Sequence, residues 1–175
     1  MKRLLVLSYY FPPLGMSGVQ RVLKLVKYLP RFGWQPVVVT PGFTGTYAYD
    51  QDLLAEAAAP VFRTFSLDPL FLSPQKHDAG LAARRGFLAW LNHWFIPDNK
   101  IGWIPFAVRA GMRAAQRYPI DAILSSAPPY SSHLAGVILK RALGKPLVSD
   151  FRDSWTNYTW VSYPTRFHRY YDQAL

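Results

Sequence analysis

The first thirty residues contain an apolar strand, a loop rich in proline and glycine, and an amphipathic helix in direct succession. The run from Leu4 to Leu7 is continuously apolar, too short for a helix and typical of a strand that is buried on both faces. The loop that follows contains two prolines and two glycines, namely Pro12, Pro13, Gly15 and Gly18. From Val19 onward, apolar residues recur at helical spacing. In open α/β sheets a loop at the carboxyl end of a strand is where ligands bind, and the helix that follows offers free N–H groups to an oxyanion. A turn that uses glycine only for its geometry fits the same spacing equally well.

Length and composition set the class of protein. With 175 residues, half of them apolar, the chain suffices for one domain with a proper core and hardly for two. The absence of cysteine excludes disulfides, thiol nucleophiles and cysteine-ligated metals, and it fits a reducing cytoplasm. The amino terminus is charged like a secretory signal, but its apolar stretch is short and ends in two prolines, which favours a strand. No segment has the roughly 18 consecutive apolar residues that span a bilayer.

Strands and helices alternate along the chain. Further strands are predicted at residues 36–40, 61–65, 121–125 and 147–149. Helices are predicted at 52–59, where Asp52 would be the cap, and at 133–143. This alternation predicts an α/β fold with a doubly wound, mostly parallel sheet. Right-handed crossovers would then bring three loops to one edge of the sheet: residues 15–18, 126–133 and 152–155.

The sequence contains 20 Lys and Arg residues but only 10 Asp and Glu residues. Such an excess of positive charge indicates an anionic partner. Residues 80–117 form an inserted helical region that is basic and aromatic, and it ends in a helix carrying Arg109, Arg113 and Arg117 along one stripe. The stripe fits a solvated helix face, and the aromatic residues of 80–96 fit a core or a domain interface. Trp and Phe near Arg also fit an anionic membrane surface. No nucleic-acid-binding module is present, so no nucleic acid partner is expected.

Two further groups of residues are candidates for chemistry. His133 follows Ser131 and Ser132, which are suited to capping a helix, and the helix dipole would keep its ring neutral near pH 7. A neutral ring could donate to a ligand, although a surface histidine in a first helical turn fits the same pattern. Arg152 and Asp153 adjoin at a strand end, where they would either hold a ligand or tie neighbouring loops together. No hydrolase or phosphate-loop motif and no Asp/His cluster is present, so the sequence predicts neither a metal site nor a cofactor.

Two blocks of sequence resemble one family. Residues 8–40, SYYFPPLGMSGVQRVLKLVKYLPRFGWQPVVVT, resemble the opening of the family 4 glycosyltransferases, the GT-B enzymes that build surface polysaccharides and glycolipids. Residues 121–155, DAILSSAPPYSSHLAGVILKRALGKPLVSDFRDSW, are similar to the later part of that family's N-terminal domain, where a strand ends in an Arg-Asp-x-Trp sequence. Residues 43–120 match only loosely. The order of the two blocks makes the resemblance more specific than either block alone.

The resemblance implies a fold and an activity. The family has two Rossmann-like domains; the N-terminal one binds the acceptor and the C-terminal one holds the nucleotide-sugar. We therefore expect residues 1–155 to be a Rossmann-like acceptor-side domain and residues 156–175 to be a tail or the start of an interdomain region. The C-terminal donor domain would be absent from this chain, which would be inactive alone. The full-length enzyme would transfer a sugar from a nucleotide-sugar to a lipid-linked or polysaccharide acceptor, retaining configuration and without metal. It would act in the cytoplasm, peripherally at the inner face of the membrane. The alternative is a non-catalytic binding or scaffold domain with the same fold.

The resemblance also implies roles for individual residues. The loop formed by Gly15, Met16, Ser17 and Gly18 matches a glycine-rich loop that faces the donor phosphates and the acceptor, with Met16 standing where relatives often have a second glycine. His133 matches a histidine that contacts the donor sugar, and Arg152 and Asp153 match the pair that faces the cleft. The expected catalytic residues are His133 and Asp153. The expected substrate-binding residues are Gly15, Met16, Ser17, Gly18, Arg21, Ser126 and Arg152.

Overall fold

Five parallel strands form one sheet in a computed structural model that describes residues 1–15, 17–42, 50–68, 95–153, 163 and 165–174. The strands are β1 (Lys2–Ser8), β2 (Trp34–Pro41), β3 (Val61–Thr64), β4 (Ala122–Ala127) and β5 (Leu147–Phe151). Their order across the sheet is β3-β2-β1-β4-β5, and every neighbouring pair is parallel. The predicted α/β fold with a doubly wound parallel sheet is therefore confirmed.

Helices connect the strands and cover the sheet. They are α1 (Ser17–Tyr28), α2 (Gln51–Glu56), α3 (Ile104–Arg117), α4 (Ser131–Leu143) and α5 (Arg166–Ala174), with short 3₁₀ turns at Leu29–Phe32 and Ile101–Trp103. Gly33 ends the first of these turns in the left-handed conformation (φ 79°), as its position after Phe32 predicted. Among the described residues, no helix is both long enough and apolar enough to cross a membrane. Most of the helix predicted over residues 80–96 lies outside the described residues, as does Met16, and residues 95 and 96 are not helical.

The sheet has an apolar core on each face because successive side chains of a strand point in opposite directions. Leu4 and Val6 of β1 point towards α1, where they pack with Val22 and Val26. Leu5, Leu7 and their neighbours on β2 point the other way and pack against α3 and α4. Burial on both faces explains why the strands are continuously apolar rather than alternating.

Two predicted helix caps are wrong. The helix predicted at 52–59 spans Gln51–Glu56, and Asp50 rather than Asp52 caps it by accepting a 3.0 Å hydrogen bond from the Asp52 N–H. At α4 the N-cap position is Tyr130, and neither Ser131 nor Ser132 caps the helix with its side chain. The carboxylate of Asp98 accepts from both the N–H and the hydroxyl of Ser131 instead, at 2.9 and 2.6 Å. A carboxylate from a distant loop therefore satisfies this helix end.

A buried ion pair joins two loops to the end of β1. Asp68 and Lys100 form a salt bridge, and Asp68 is fully buried while Lys100 is 3% exposed. The Tyr9 hydroxyl donates to the same carboxylate at 2.8 Å, and burial raises the pKa of that hydroxyl far above its ordinary value, so it remains a donor. The Trp103 ring packs edge-on against Tyr9 with centroids 5.2 Å apart. These contacts fix the chain on both sides of the segment between Asp68 and Lys100.

Removing one partner of this buried pair should destabilise the fold strongly. In a Lys100→Met variant the Asp68 carboxylate stays buried without its cation, so we expect the free energy of unfolding to fall by about 3–5 kcal/mol. The matched control is Lys24→Met, because Lys24 pairs with Glu56 at the surface, where an ion pair contributes less than about 1 kcal/mol. Urea unfolding of the two variants measures the difference. Equal losses in both would show that the buried pair does not hold the loops.

Candidate functional site

A pocket opens where the direction of chain winding reverses, between β1 and β4. From β1 the chain adds β2 and β3 on one side, and β4 and β5 lie on the other, so the loops that leave β1 and β4 diverge. Ser8 and Ser126 are register partners at the carboxyl ends of these two strands. The pocket above them has a volume of about 150 Å³. It is lined by Ser8, Tyr10, Gly18, Arg21, Val22, Ser126, Ala127, Pro128 and Arg152.

Four of the residues predicted from the sequence line this pocket together: Gly18, Arg21, Ser126 and Arg152. Gly15 is exposed in the loop before α1, and Ser17 is the first residue of that helix. Asp153 is half-buried beside Arg152, while His133 is buried at 3% exposure in the first turn of α4. One described residue from each of the three predicted loops, namely Gly18, Ser126 and Arg152, therefore lines the same pocket.

Asp150 links the two sides of the pocket, although it was not among the residues predicted from the sequence. Its carboxylate accepts from both ends of the Arg21 guanidinium, with a 3.0 Å bond from Nε, and from the Ser126 hydroxyl at 3.0 Å. The hydrogen bond and the charge of Asp150 raise the pKa of Arg21, and the two hydrogen bonds orient its guanidinium towards β5. The strand predicted to end at residue 149 continues to Phe151, and this extension pairs Asp150 with Ser126.

Arg152 lies against the first turn of α1. A Cβ atom at position 18 would come within 3.3 Å of the Arg152 Nη1 atom, so the guanidinium uses the space that Gly18 leaves open. The Arg152 Nε atom lies 3.5 Å from a carboxylate oxygen of Asp153. Each of the two arginines at the pocket is thus accompanied by an aspartate. The charges of the two arginines are thus balanced by neighbouring carboxylates, and the other lining side chains are hydroxyl or apolar groups.

His133 lies behind the pocket rather than in its lining. Its Nδ1 atom is 2.7 Å from the Ser125 hydroxyl oxygen, and its ring packs on Phe151 with centroids 4.3 Å apart. Burial lowers the pKa of His133 to about 4, and the charge of Asp150 opposes that effect only in part. The ring is neutral near pH 7 as predicted, with burial rather than the helix dipole as the main cause.

The described residues contain no group of three or more acidic, histidine or cysteine side chains that could hold a metal ion. The groups at the pocket offer hydrogen bonds and two arginine–aspartate pairs. Hydroxyl groups both donate and accept, arginine only donates, and ionised aspartate only accepts. Such a mixture can recognise a ligand that carries several hydroxyl groups.

Comparison with known proteins gives a likeness of fold. The glycosyltransferase SsfS6 of Streptomyces sp. SF2575, solved in complex with thymidine diphosphate, superimposes with a TM-score of 0.52 at 16% identity, over 86% of this chain and 38% of SsfS6. UGT2 of Phytolacca americana, complexed with UDP-2-fluoro-glucose and pterostilbene, gives a TM-score of 0.48 at 17% identity, over 86% and 30% of the two chains. The C-terminal domain of the PF1911 hydrogenase of Pyrococcus furiosus gives 0.47 at 10% identity, over 85% and 90%.

The likeness to SsfS6 supports the Rossmann-like α/β fold, which this chain shares with part of that glycosyltransferase. The chain spans less than two fifths of the SsfS6 chain. No family model matches it, and no curated protein matches it either. At this level of identity a shared fold does not imply a shared activity, because function depends on the residues of the site.

The buried neutral histidine should make the fold sensitive to acid. The pKa of His133 is about 4 in the folded chain and about 6.5 when unfolded, so the unfolded state takes up a proton first as the pH falls. Above pH 6.5 the neutral His133 ring therefore contributes fully to the free energy of unfolding. About 2–3 kcal/mol of that free energy is lost as the pH falls from 6.5 to 4. Urea unfolding across this range should show a steeper decline for the native chain than for His133→Gln. An imidazole that titrates near pH 6.5 by NMR would contradict this expectation.

Proposed function

We propose that this chain is the acceptor-binding domain of a retaining glycosyltransferase related to family 4, which transfers a sugar from a nucleotide-sugar to a lipid-linked or polysaccharide acceptor. The proposal rests chiefly on the pocket between β1 and β4, which four of the expected substrate-binding residues line together, two of them (Gly18 and Arg152) matched by the family resemblance. The likeness of fold to SsfS6 agrees with it. Catalysis would require a second domain that holds the donor.

The balance of charge in the pocket favours an uncharged, polyhydroxylated ligand over a diphosphate. Arg21 is paired with Asp150 and Arg152 with Asp153, so neither guanidinium adds net positive charge to the pocket. A diphosphate would have to compete with Asp150 and Asp153 for the two guanidinium groups, which costs electrostatic free energy. A sugar ring can instead accept from the arginines and donate to acceptor oxygens while its apolar face lies on Val22. This favours the acceptor sugar as the ligand of the pocket.

Positioning is the main contribution that we propose for this domain. Holding the acceptor hydroxyl close to the donor removes much of the entropic barrier to the reaction. The amino end of α1, with Gly15 just before it, would face the donor phosphates, where backbone N–H groups stabilise the departing nucleoside diphosphate. Asp153 remains the proposed catalytic carboxylate at the rim. For His133 we propose a positioning role through Ser125, because its burial and its hydrogen bond hold the strand that carries Ser126.

Sugar binding by the isolated chain tests this proposal. Methyl glycosides at millimolar concentration should shift NMR signals of pocket residues, and Arg152→Gln should weaken binding about tenfold because a charge-assisted hydrogen bond is lost. Gly18→Val should weaken it at least as much, since the added side chain enters the space that Arg152 occupies. The unfolding free energy of each variant is measured in parallel so that loss of fold is recognised.

The matched control is Arg113→Gln, which removes one exposed arginine away from the pocket and should leave sugar binding unchanged. Two results would contradict the proposal. Thymidine or uridine diphosphate could bind the pocket residues more tightly than any glycoside, which would make the pocket a nucleotide site. A folded chain that binds neither ligand would favour the scaffold function instead.

A further inference from the structure

Helix α3 packs over β1, β2 and β3 and carries an exposed cationic face. Arg109, Arg113 and Arg117 recur every four residues and are all exposed, so they form one stripe. A groove of about 300 Å³ runs between the start of this stripe and the end of β3, and Phe65 and Phe106 form part of its wall. We call the three arginines together with Phe65 and Leu67 the α3 basic face.

The positive charge of the α3 basic face is not neutralised within the described part of the chain. In the ion pairs of this part the carboxylates bind other cations. Glu56 pairs with two lysines of α1, Asp68 pairs with Lys100, and Asp150 and Asp153 pair with the two arginines of the pocket. Asp50, Asp98 and Asp121 accept hydrogen bonds from backbone N–H groups. Asp172 accepts one from the Tyr163 hydroxyl, and Asp52 lies in the first turn of α2. Like charges spaced four residues apart on a helix repel one another, so an external anion would relieve this repulsion.

Apolar side chains are exposed near the start of the stripe: Phe65 shares the groove with Arg109 and Arg113, and Leu67 lies against Gly102 in the turn before α3. Phe65 is 45% exposed and packs edge-on against Phe106 with centroids 5.3 Å apart, and Leu67 is 53% exposed. A phosphate group alone would leave these side chains in water. An anionic bilayer provides phosphates for the arginines and, just below them, an apolar layer for the phenylalanine and the leucine. Both kinds of exposed group therefore fit the same partner.

The position of the α3 basic face relates it to the pocket. Phe65 and Leu67 follow the carboxyl end of β3, and the pocket lies at the carboxyl ends of β1 and β4. Since all strands are parallel, these ends share one edge of the sheet. The Arg109 end of the α3 basic face thus lies near the edge at which the pocket opens. From there the stripe runs towards the amino ends of the strands, where Arg117 adjoins Tyr118, whose ring contacts Arg3.

We propose that the α3 basic face docks on a bilayer surface rich in anionic phospholipid headgroups. The docking makes the membrane the partner of this domain. It rests on the proposed function, because a membrane contact would bring a lipid-linked acceptor to the pocket. Its test contains no sugar. A failure of vesicle binding can therefore be told apart from a failure of sugar binding.

Vesicle flotation tests the docking. The chain is mixed with phosphatidylcholine vesicles that contain no phosphatidylglycerol or 30 mol% of it, at 50 mM and 500 mM salt. We expect binding only to the anionic vesicles, strongest at low salt. The triple variant Arg109→Gln, Arg113→Gln, Arg117→Gln should bind about ten- to a hundredfold more weakly, because each basic residue near the surface adds to the attraction. Leu67→Ser should lower the binding that persists at high salt severalfold.

The matched control removes three cations elsewhere: Lys140→Gln, Arg141→Gln, Lys145→Gln at the end of α4. This variant has the same net charge as the α3 variant, and it should retain most of the binding. Equal loss in both variants would overturn the proposal, because net charge rather than the α3 basic face would then drive binding. No binding to anionic vesicles at low salt would also overturn the proposal. So would tighter binding to an oligonucleotide duplex than to the vesicles, if the triple α3 variant loses that duplex binding.

Discussion

The parallel pairing of β1 with β4 places the pocket and orders the groups around it. These strands belong to two halves of the sheet that are wound in opposite directions, so the loops at their carboxyl ends separate and leave a crevice. The crevice remains narrow because side chains cross it: Arg21 on α1 is bound to Asp150 on β5, and Asp150 also holds Ser126. A ligand therefore meets walls that are already joined to each other, which lowers the ordering cost of binding.

The few acidic residues of this chain explain how charge is distributed over it. The sequence has ten acidic residues for twenty basic ones, and several of the ten hold loops in place. Asp68 fixes Lys100 inside the protein, Asp98 satisfies the amino end of α4, and Asp150 fixes Arg21. Each acid so used is unavailable to neutralise the surface. The excess of cations consequently remains on faces such as that of α3, while the pocket is balanced.

Local sequence patterns predicted the strands but not their long-range partners. Continuous apolar runs such as that of β1 are specific, since only a strand buried on both faces needs them at that length. The glycine after Phe32 was equally informative, because a left-handed backbone at a helix end favours glycine. The cap of α4 was missed because its acceptor, Asp98, lies 33 residues away in sequence. Asp150 was missed because the end of β5 depends on pairing with β4, which no local pattern contains.

Charge balance in the pocket and charge excess on α3 have a joint consequence for the ligand. A neutral sugar gains little from a basic surface, and a bare phosphate gains little from a pocket whose arginines are already paired. A molecule that joins a sugar to an anionic lipid would gain from both places, provided that it reaches the carboxyl edge of the sheet. The two sites would then contribute through effective concentration, because membrane contact confines the chain to the surface where such a molecule resides. Weak sugar binding by the isolated chain in solution would be compatible with efficient recognition at a bilayer.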